Sequence, residues 1–239
     1  MPSQQKVALI TGASQGIGAS LAKAFRTMGY NVVATSRSMS RSEAADPSSL
    51  MIDGDIAIPA AADRIVDSAV ERFGRIDTLV NNAGIFIPRP FLDYSEADFA
   101  AMTATNLAGF FHISQRVASR MLRSGAGHIV NVTATIAQQP MASLPAALAA
   151  LTKGGLVAVT KSLAIEYATR GIRVNAVSPG VIRTPMHRPE THAFLAGLQP
   201  MGRMGEVQDI VEAVLYLEAA AFVTGAILHV DGGASAGQW

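Results

Sequence analysis

Short apolar runs alternate along this chain with longer stretches in which apolar residues recur every three to four positions. Each run has the length of a strand buried on both faces, and each longer stretch has the spacing of a helix that buries one face. Strands are predicted at VALI (Val7 to Ile10), NVVAT (Asn31 to Thr35), LMIDG (Leu50 to Gly54), IDTLV (Ile76 to Val80), HIVNV (His128 to Val132), IRVNAV (Ile172 to Val177) and ILHV (Ile227 to Val230). Helices are predicted over 16–29, 60–73, 96–123, 145–169 and 206–217. Such alternation demands right-handed crossovers, so the fold class is α/β, with a doubly wound parallel sheet of seven strands. From Ser36 to Ser49 the chain is short and rich in serine, and the helix expected between the second and third strands is nearly absent. Pro185 to Gly205, with three prolines and three glycines, reads as a mobile loop holding one short helix. Ligands bind such sheets beyond the carboxyl ends of the strands, and this loop follows a strand, which makes 185–205 a candidate substrate lid.

The first strand runs straight into TGASQGIG (Thr11 to Gly18), and helical spacing resumes at Ile17, Leu21, Ala24 and Phe25. Strand, glycine turn and helix start stand in the order of a dinucleotide-binding unit. Gly12 permits the tight turn, Gly16 lets backbone approach a pyrophosphate, and Gly18 lets helix pack closely on strand, while the helix N-terminus offers amide donors. About 20 residues further on, a site for NAD would place a carboxylate against the adenosine ribose. Here Ser36, Arg37 and Ser38 stand instead. A guanidinium makes paired bonds to a 2′-phosphate, so the expected cofactor is NADP(H). The competing reading makes Arg37 a solvated loop residue like Arg41, since Gln15 withholds a second cation from the glycine loop.

Further strings complete a Rossmann-type pattern over nearly the whole chain: NNAG (Asn81 to Gly84), Asn106, NAVSPG (Asn175 to Gly180), then Thr224, Gly225 and VDGG (Val230 to Gly233). With the glycine loop, they resemble the short-chain dehydrogenase/reductase family. The resemblance implies that Ser14, Gln15 and Ile17 belong to the phosphate loop with its glycines, and that Asp55 and Ile56 flank the adenine. It further implies that Asn82, Ala83, Gly84 and Thr133 line the adenosine and ribose side of the cofactor site, and that Pro179, Gly180, Ile182 and Thr184 hold the nicotinamide. Taken singly, NNAG is also a plain turn and Pro179-Gly180 a plain strand stop.

That family usually carries Tyr-x-x-x-Lys, and this chain reads LAALTKGGL (Leu148 to Leu156). The lysine is Lys153, which the resemblance also places on the nicotinamide ribose; four residues earlier stands Ala149. The family's serine aligns with Ala134 between Thr133 and Thr135, and Thr135 is the candidate to replace it. The candidate catalytic set is therefore Asn106, Lys153 and Thr135. Hydride addition to a ketone builds an alkoxide that needs a proton, and losing a positioned acid costs about 10²–10⁴ in rate. An iminium ion or conjugated acceptor makes less demand for an acid at that position. Of the four tyrosines, Tyr30 and Tyr167 lie too far off, Tyr216 is expected in the core, and Tyr94 is expected to pack with Phe91 and Phe99. Lid residues His187 and His192 are alternative proton donors, as are Lys153 and a water held by Asn106.

Composition narrows the function classes. The 239 residues are 49% hydrophobic and 15% charged, which suits a single domain over 1–239. A net charge of +1 with scattered cations offers no field for nucleic acid. There is no cysteine and no HExxH-like spacing among the five histidines, so no metal is expected. No apolar run approaches the roughly 18 residues of a membrane span, and a cytoplasmic protein acting on a small molecule is expected. By resemblance it assembles as a homotetramer, with 103–123, 145–169 and the last strand at interfaces. Lid residues Met186, Phe194, Leu195 and Leu198 fit either an apolar pocket or helix packing, the latter being favoured. The leading expectation is an NADP(H)-dependent oxidoreductase; the alternative is a catalytically weak NADP(H)-binding protein acting through sensing or assembly.

Overall fold

The computed structural model describes residues 5–39 and 46–237. Ser40 to Ala45, including Arg41 and much of the serine-rich connection, lie outside them.

Seven strands form one parallel sheet in the order β3-β2-β1-β4-β5-β6-β7. They are β1 (Val7–Thr11), β2 (Asn31–Ser36), β3 (Ser49–Asp53), β4 (Thr78–Asn81), β5 (Gly127–Val132), β6 (Ile172–Pro179) and β7 (Ile227–Val230). All seven fall where apolar runs predict them. The interior of β1 shows why the runs are continuous: Val7 and Leu9 enter one core, Ala8 and Ile10 the other. The first core is closed by α2 (Pro59–Phe73), α4 (Phe110–Ser124) and α5 (Ala147–Tyr167), the second by α1 (Gly16–Thr27) and α7 (Val207–Ala219). Strand order reverses between β1 and β4, and the carboxyl ends of that pair open the crevice where ligands sit in such sheets.

The helix expected over 96–123 is divided. α3 (Glu96–Thr103) starts at a capping box in which the Ser95 hydroxyl accepts from the Asp98 amide and the Asp98 carboxylate accepts from Ser95. It runs into a wide π turn, Ala104–Gly109, and then α4. The turn puts Asn106 in the interior, only 1% exposed. No glycine or proline marks its start, so helical spacing alone does not reveal it.

Between β6 and α7, 185–205 holds the one short helix expected, α6 (His192–Ala196). Leu195 and Leu198 pack with Met204 as helix packing predicts, whereas Met186 and Phe194 stay more than half exposed. The continuous helical stretch Ala147–Arg170, with a mean hydropathy of 1.4, is long and apolar enough by composition to cross a membrane. This is longer than any apolar run the sequence suggests. Its inner face, including Leu148, Leu156 and Ala164, is buried in the fold.

Candidate active site

The glycine loop closes on the start of the β4 loop so tightly that side chains are excluded. A methyl group at Gly18 would stand 2.3 Å from the Gly12 carbonyl oxygen and 2.6 Å from the Asn82 amide nitrogen. One at Gly12, which has φ +66°, would meet the Ala83 Cα at 2.8 Å. Asn82 holds this contact: its Nδ2 donates to the Thr11 carbonyl at 3.0 Å and the Gly12 carbonyl at 3.1 Å. The Thr11 hydroxyl accepts from the Asn82 and Ala83 amides. The Asn82 side chain therefore positions the loop. Thr11, which sequence reading passes over, is the hub of the same contact; its place beside Gly12 was the signal available. Together these groups leave a backbone cradle at the N-terminus of α1 whose inward space only glycine permits, which fits a pyrophosphate.

An open cleft of about 360 Å³ begins at this cradle. Gly12, Ser14, Gln15, Gly16 and Ile17 form one side of it, with Asn82, Ala83 and Gly84 on the β4 loop and Thr184 at the entry to the lid segment. Ser36, Arg37, Asp55 and Ile56 close the far end. The Ser36 hydroxyl bonds the Ser38 carbonyl at 2.8 Å and turns the chain just past β2. Arg37 is exposed there. Asp55 accepts from the Ala57 amide at 3.0 Å and stays partly exposed, while Ile56 is buried.

The opposite end brings Lys153 and Asn106 together behind Gly84. A methyl at Gly84 would meet Lys153 Nζ at 2.9 Å and Asn106 Oδ1 at 3.3 Å. Lys153 Nζ donates to the Val132 carbonyl at 2.8 Å, and burial pushes its pKa down to about 8. Asn106 accepts from the Ile85 amide and donates to the Ile85 carbonyl and the Thr152 hydroxyl. Its amide thus fixes the β4 loop against α5. Ala149 lies one turn before Lys153, fully buried, in a cluster with Met102, Ile136, Ala146 and Leu148. The site around it is packed carbon rather than the room that a small residue in this position suggests.

Other candidates are tied up elsewhere. The Thr135 hydroxyl donates to Asp231 at 3.0 Å, and that of Thr133 to the Val177 carbonyl at 3.1 Å. Pro179 ends β6; Gly180 and Ile182 line a neighbouring cavity of about 380 Å³ with Asp231 and Gln199. Tyr94 packs toward the Ala149 cluster, its hydroxyl on the Ile87 carbonyl at 2.8 Å, while Phe91 and Phe99 are exposed. Tyr216 is 57% exposed rather than in the core, because it points away from the face of α7 that meets the sheet. His192 faces Arg183 through Nδ1 and the His187 carbonyl through Nε2.

Residues 12–235 match the family model described as Enoyl-(Acyl carrier protein) reductase. The chain is 35% identical over 244 residues to the 3-oxoacyl-[acyl-carrier-protein] reductase FabG of Escherichia coli (strain K12), covering 98% of both chains. The chain belongs to the short-chain dehydrogenase/reductase family. A solved 3-ketoacyl-(acyl-carrier-protein) reductase from Brucella melitensis, complexed with NADH, superposes with a TM-score of 0.89 at 35% identity, covering 98% of this chain and 100% of that one. ElxO with NADP bound superposes at 0.91 with 29% identity and the same coverage. The short-chain dehydrogenase/reductase fold around the cleft is thus one that carries a nicotinamide dinucleotide in its relatives.

Proposed function

We propose that this short-chain dehydrogenase/reductase is an NADP(H)-dependent oxidoreductase that moves hydride to or from a small organic molecule, a carbonyl/alcohol pair or an imine or conjugated acceptor. The observation that carries the reading is the single cleft running from the exposed Arg37, past the glycine cradle, to Gly84 with Lys153 behind it. When bound, the cofactor supplies or receives the hydride. Gly12, Ser14, Gln15, Gly16, Ile17 and Gly18 hold its pyrophosphate, Arg37 and Ser36 the 2′-phosphate, and Asp55 and Ile56 the adenine. Lys153 bonds the ribose next to the nicotinamide, and the segment Pro179 to Thr184 bounds the ring. Residues 185–205 act as the substrate lid.

The active site is atypical, with Ala149 and Ala134 in place of the family's tyrosine and serine. Neither methyl can hold or move a proton. The protonatable group at the Gly84 end of the cleft is Lys153, and Asn106 sets its surroundings through Ile85 and Thr152. Saturated ketones, which become strongly basic alkoxides, are therefore poor substrates. Following NADPH oxidation with matched saturated and conjugated cyclic ketones tests this: the conjugated partner is expected to turn over faster. Faster reduction of the saturated ketone would remove the claim. The full burial of Ala149 among apolar side chains favours one second reading, a protein that binds NADP(H) and catalyses little. NADPH binding with no turnover across such a panel would select it.

A further inference from the structure

Lys153 and Ala149 share one face of α5, a turn apart. What surrounds Ala149 is carbon, including Met102, Ile136, Ala146 and the partly buried Ala134. Lys153 stands where this apolar wall meets the nucleotide cleft, its Nζ directly behind Gly84. Its other neighbours are neutral. They are the Val132 carbonyl at the end of β5, the Asn106 amide on the π turn, and Thr152 beside it on α5, which Asn106 bonds. Burial alone accounts for the low pKa of the amine: among the described residues no carboxylate and no second cation perturbs it. An uncompensated ammonium at an apolar wall acts on a ligand's charge through a low dielectric, so its sign matters more than it would in water.

We infer that the Lys153 ammonium receives the negative charge that develops on the substrate oxygen, so the site takes neutral conjugated carbonyls, which become enolates on accepting hydride, and excludes acceptors already cationic. The inference rests on the reading above and sorts the substrate classes it leaves open. With a conjugated carbonyl, hydride leaving the reduced nicotinamide forms a C–H bond at the β-carbon, and the nicotinamide is oxidised. The C=C π pair moves into the bond between the α-carbon and the carbonyl carbon, and the C=O π pair moves onto oxygen beside Nζ. A proton from Nζ, or from water through Nζ, then reaches the enolate, and solvent restores the ammonium. With an iminium ion the same hydride cancels a positive charge. No anion forms, and the approach of the cation is opposed by Lys153 from the start.

Two measurements on the full chain test this. First, 4-nitrophenol, an enolate mimic whose absorbance reports its ionisation, is titrated into the NADP+-loaded protein. It is expected to bind shifted toward the phenolate, to remain so in Lys153→Arg, and to lose the shift in Lys153→Met. Second, 2-cyclohexen-1-one is expected to be reduced at least about tenfold faster than a size-matched N-methyl cyclic iminium ion, one factor of ten being about 1.4 kcal/mol of like-charge repulsion. Lys153→Met is expected to narrow or reverse that ranking, with nicotinamide fluorescence showing how much cofactor each variant holds. Equal or faster reduction of the cation, or a nitrophenol shift that survives in Lys153→Met, overturns the inference alone; no reduction of either acceptor by NADPH-loaded protein overturns it and favours the reading of a protein that binds NADP(H) and catalyses little. Failure to take up any nicotinamide dinucleotide overturns the parent reading together with it.

Discussion

A tyrosine at position 149 would stand one helical turn from Lys153, yet the structure offers it no space: Ala149 is fully buried against Met102, Ile136 and Leu148. Ala149→Tyr is therefore expected to lower stability by about 1–3 kcal/mol from overpacking, read as a drop in the urea midpoint, before any gain of carbonyl reduction appears. Arg37 bears on a different prediction, the choice between the two dinucleotides. Its removal in Arg37→Ala is expected to weaken NADPH binding by about tenfold to a hundredfold, the loss of one or two charge-assisted bonds, with NADH nearly unchanged. Competitive fluorescence titration of the two dinucleotides checks this, and an equal loss for both would return Arg37 to the status of a solvated loop residue. Lys153 carries a pH signature. Because burial holds its pKa near 8, reduction of a neutral acceptor is expected to fall as pH rises through about 8 and the ammonium is lost. Lys153→Arg, which stays charged, removes that limb of the profile.

The elements were legible to different degrees, for physical reasons. Strands buried on both faces are mostly apolar, so β1 stands out as the run Val7 to Ile10, while β5 and β6 stay legible although buried polar residues such as His128, Asn131 and Asn175 interrupt them. The glycine loop was equally clear, since Gly12 and Gly18 admit no side chain in the space they occupy. The π turn was hidden because a single wide turn leaves helix-forming residues on either side unchanged. Also illegible was the direction of hydroxyls: Thr135 sits at the expected place, but a long-range bond to Asp231 decides where it points. Asn106 is the element-scale test of this arrangement. Asn106→Ala leaves the Ile85 amide and carbonyl and the Thr152 hydroxyl without that partner, and is expected to cost about 1–3 kcal/mol in chemical denaturation. A change within error would show that the π turn is held by backbone alone.

Across the whole molecule, the amino-terminal ends of the strands carry a buried polar network remote from the cleft. Glu218 accepts from the Tyr30 hydroxyl at 2.9 Å and the Thr78 hydroxyl at 3.0 Å, and lies 2.7 Å from His128 Nδ1. His128 Nε2 faces two donors, the Asn175 amide and Arg173. That geometry calls for the neutral ring with its proton on Nδ1, and burial, the largest influence, holds the His128 pKa below 6.5. Burial pushes Glu218 up, but bonds from His128, Tyr30 and Thr78 outweigh it and hold its carboxyl below the usual range. Both shifts have the same sign in linkage: the unfolded chain binds more protons as pH falls below 6.5. Stability is expected to be full above pH 6.5 and to decline progressively below it. His128→Asn is expected to flatten the part of that decline nearest pH 6.5 in thermal melts. At the same scale, exposed Leu151 and Ile165 on α5, with Phe111 on α4, fit the proposed homotetramer. Light scattering is expected to give the mass of four 25.0 kDa chains.

The cleft as a holder of NADP(H) underlies every chemical step assigned above. Isothermal titration of the dialysed protein with NADPH and then NADH addresses it most directly. The account predicts saturable binding of one dinucleotide per chain, tighter for NADPH by at least about tenfold because only it carries the phosphate that Arg37 can bond. Heat of dilution alone with both dinucleotides would contradict it.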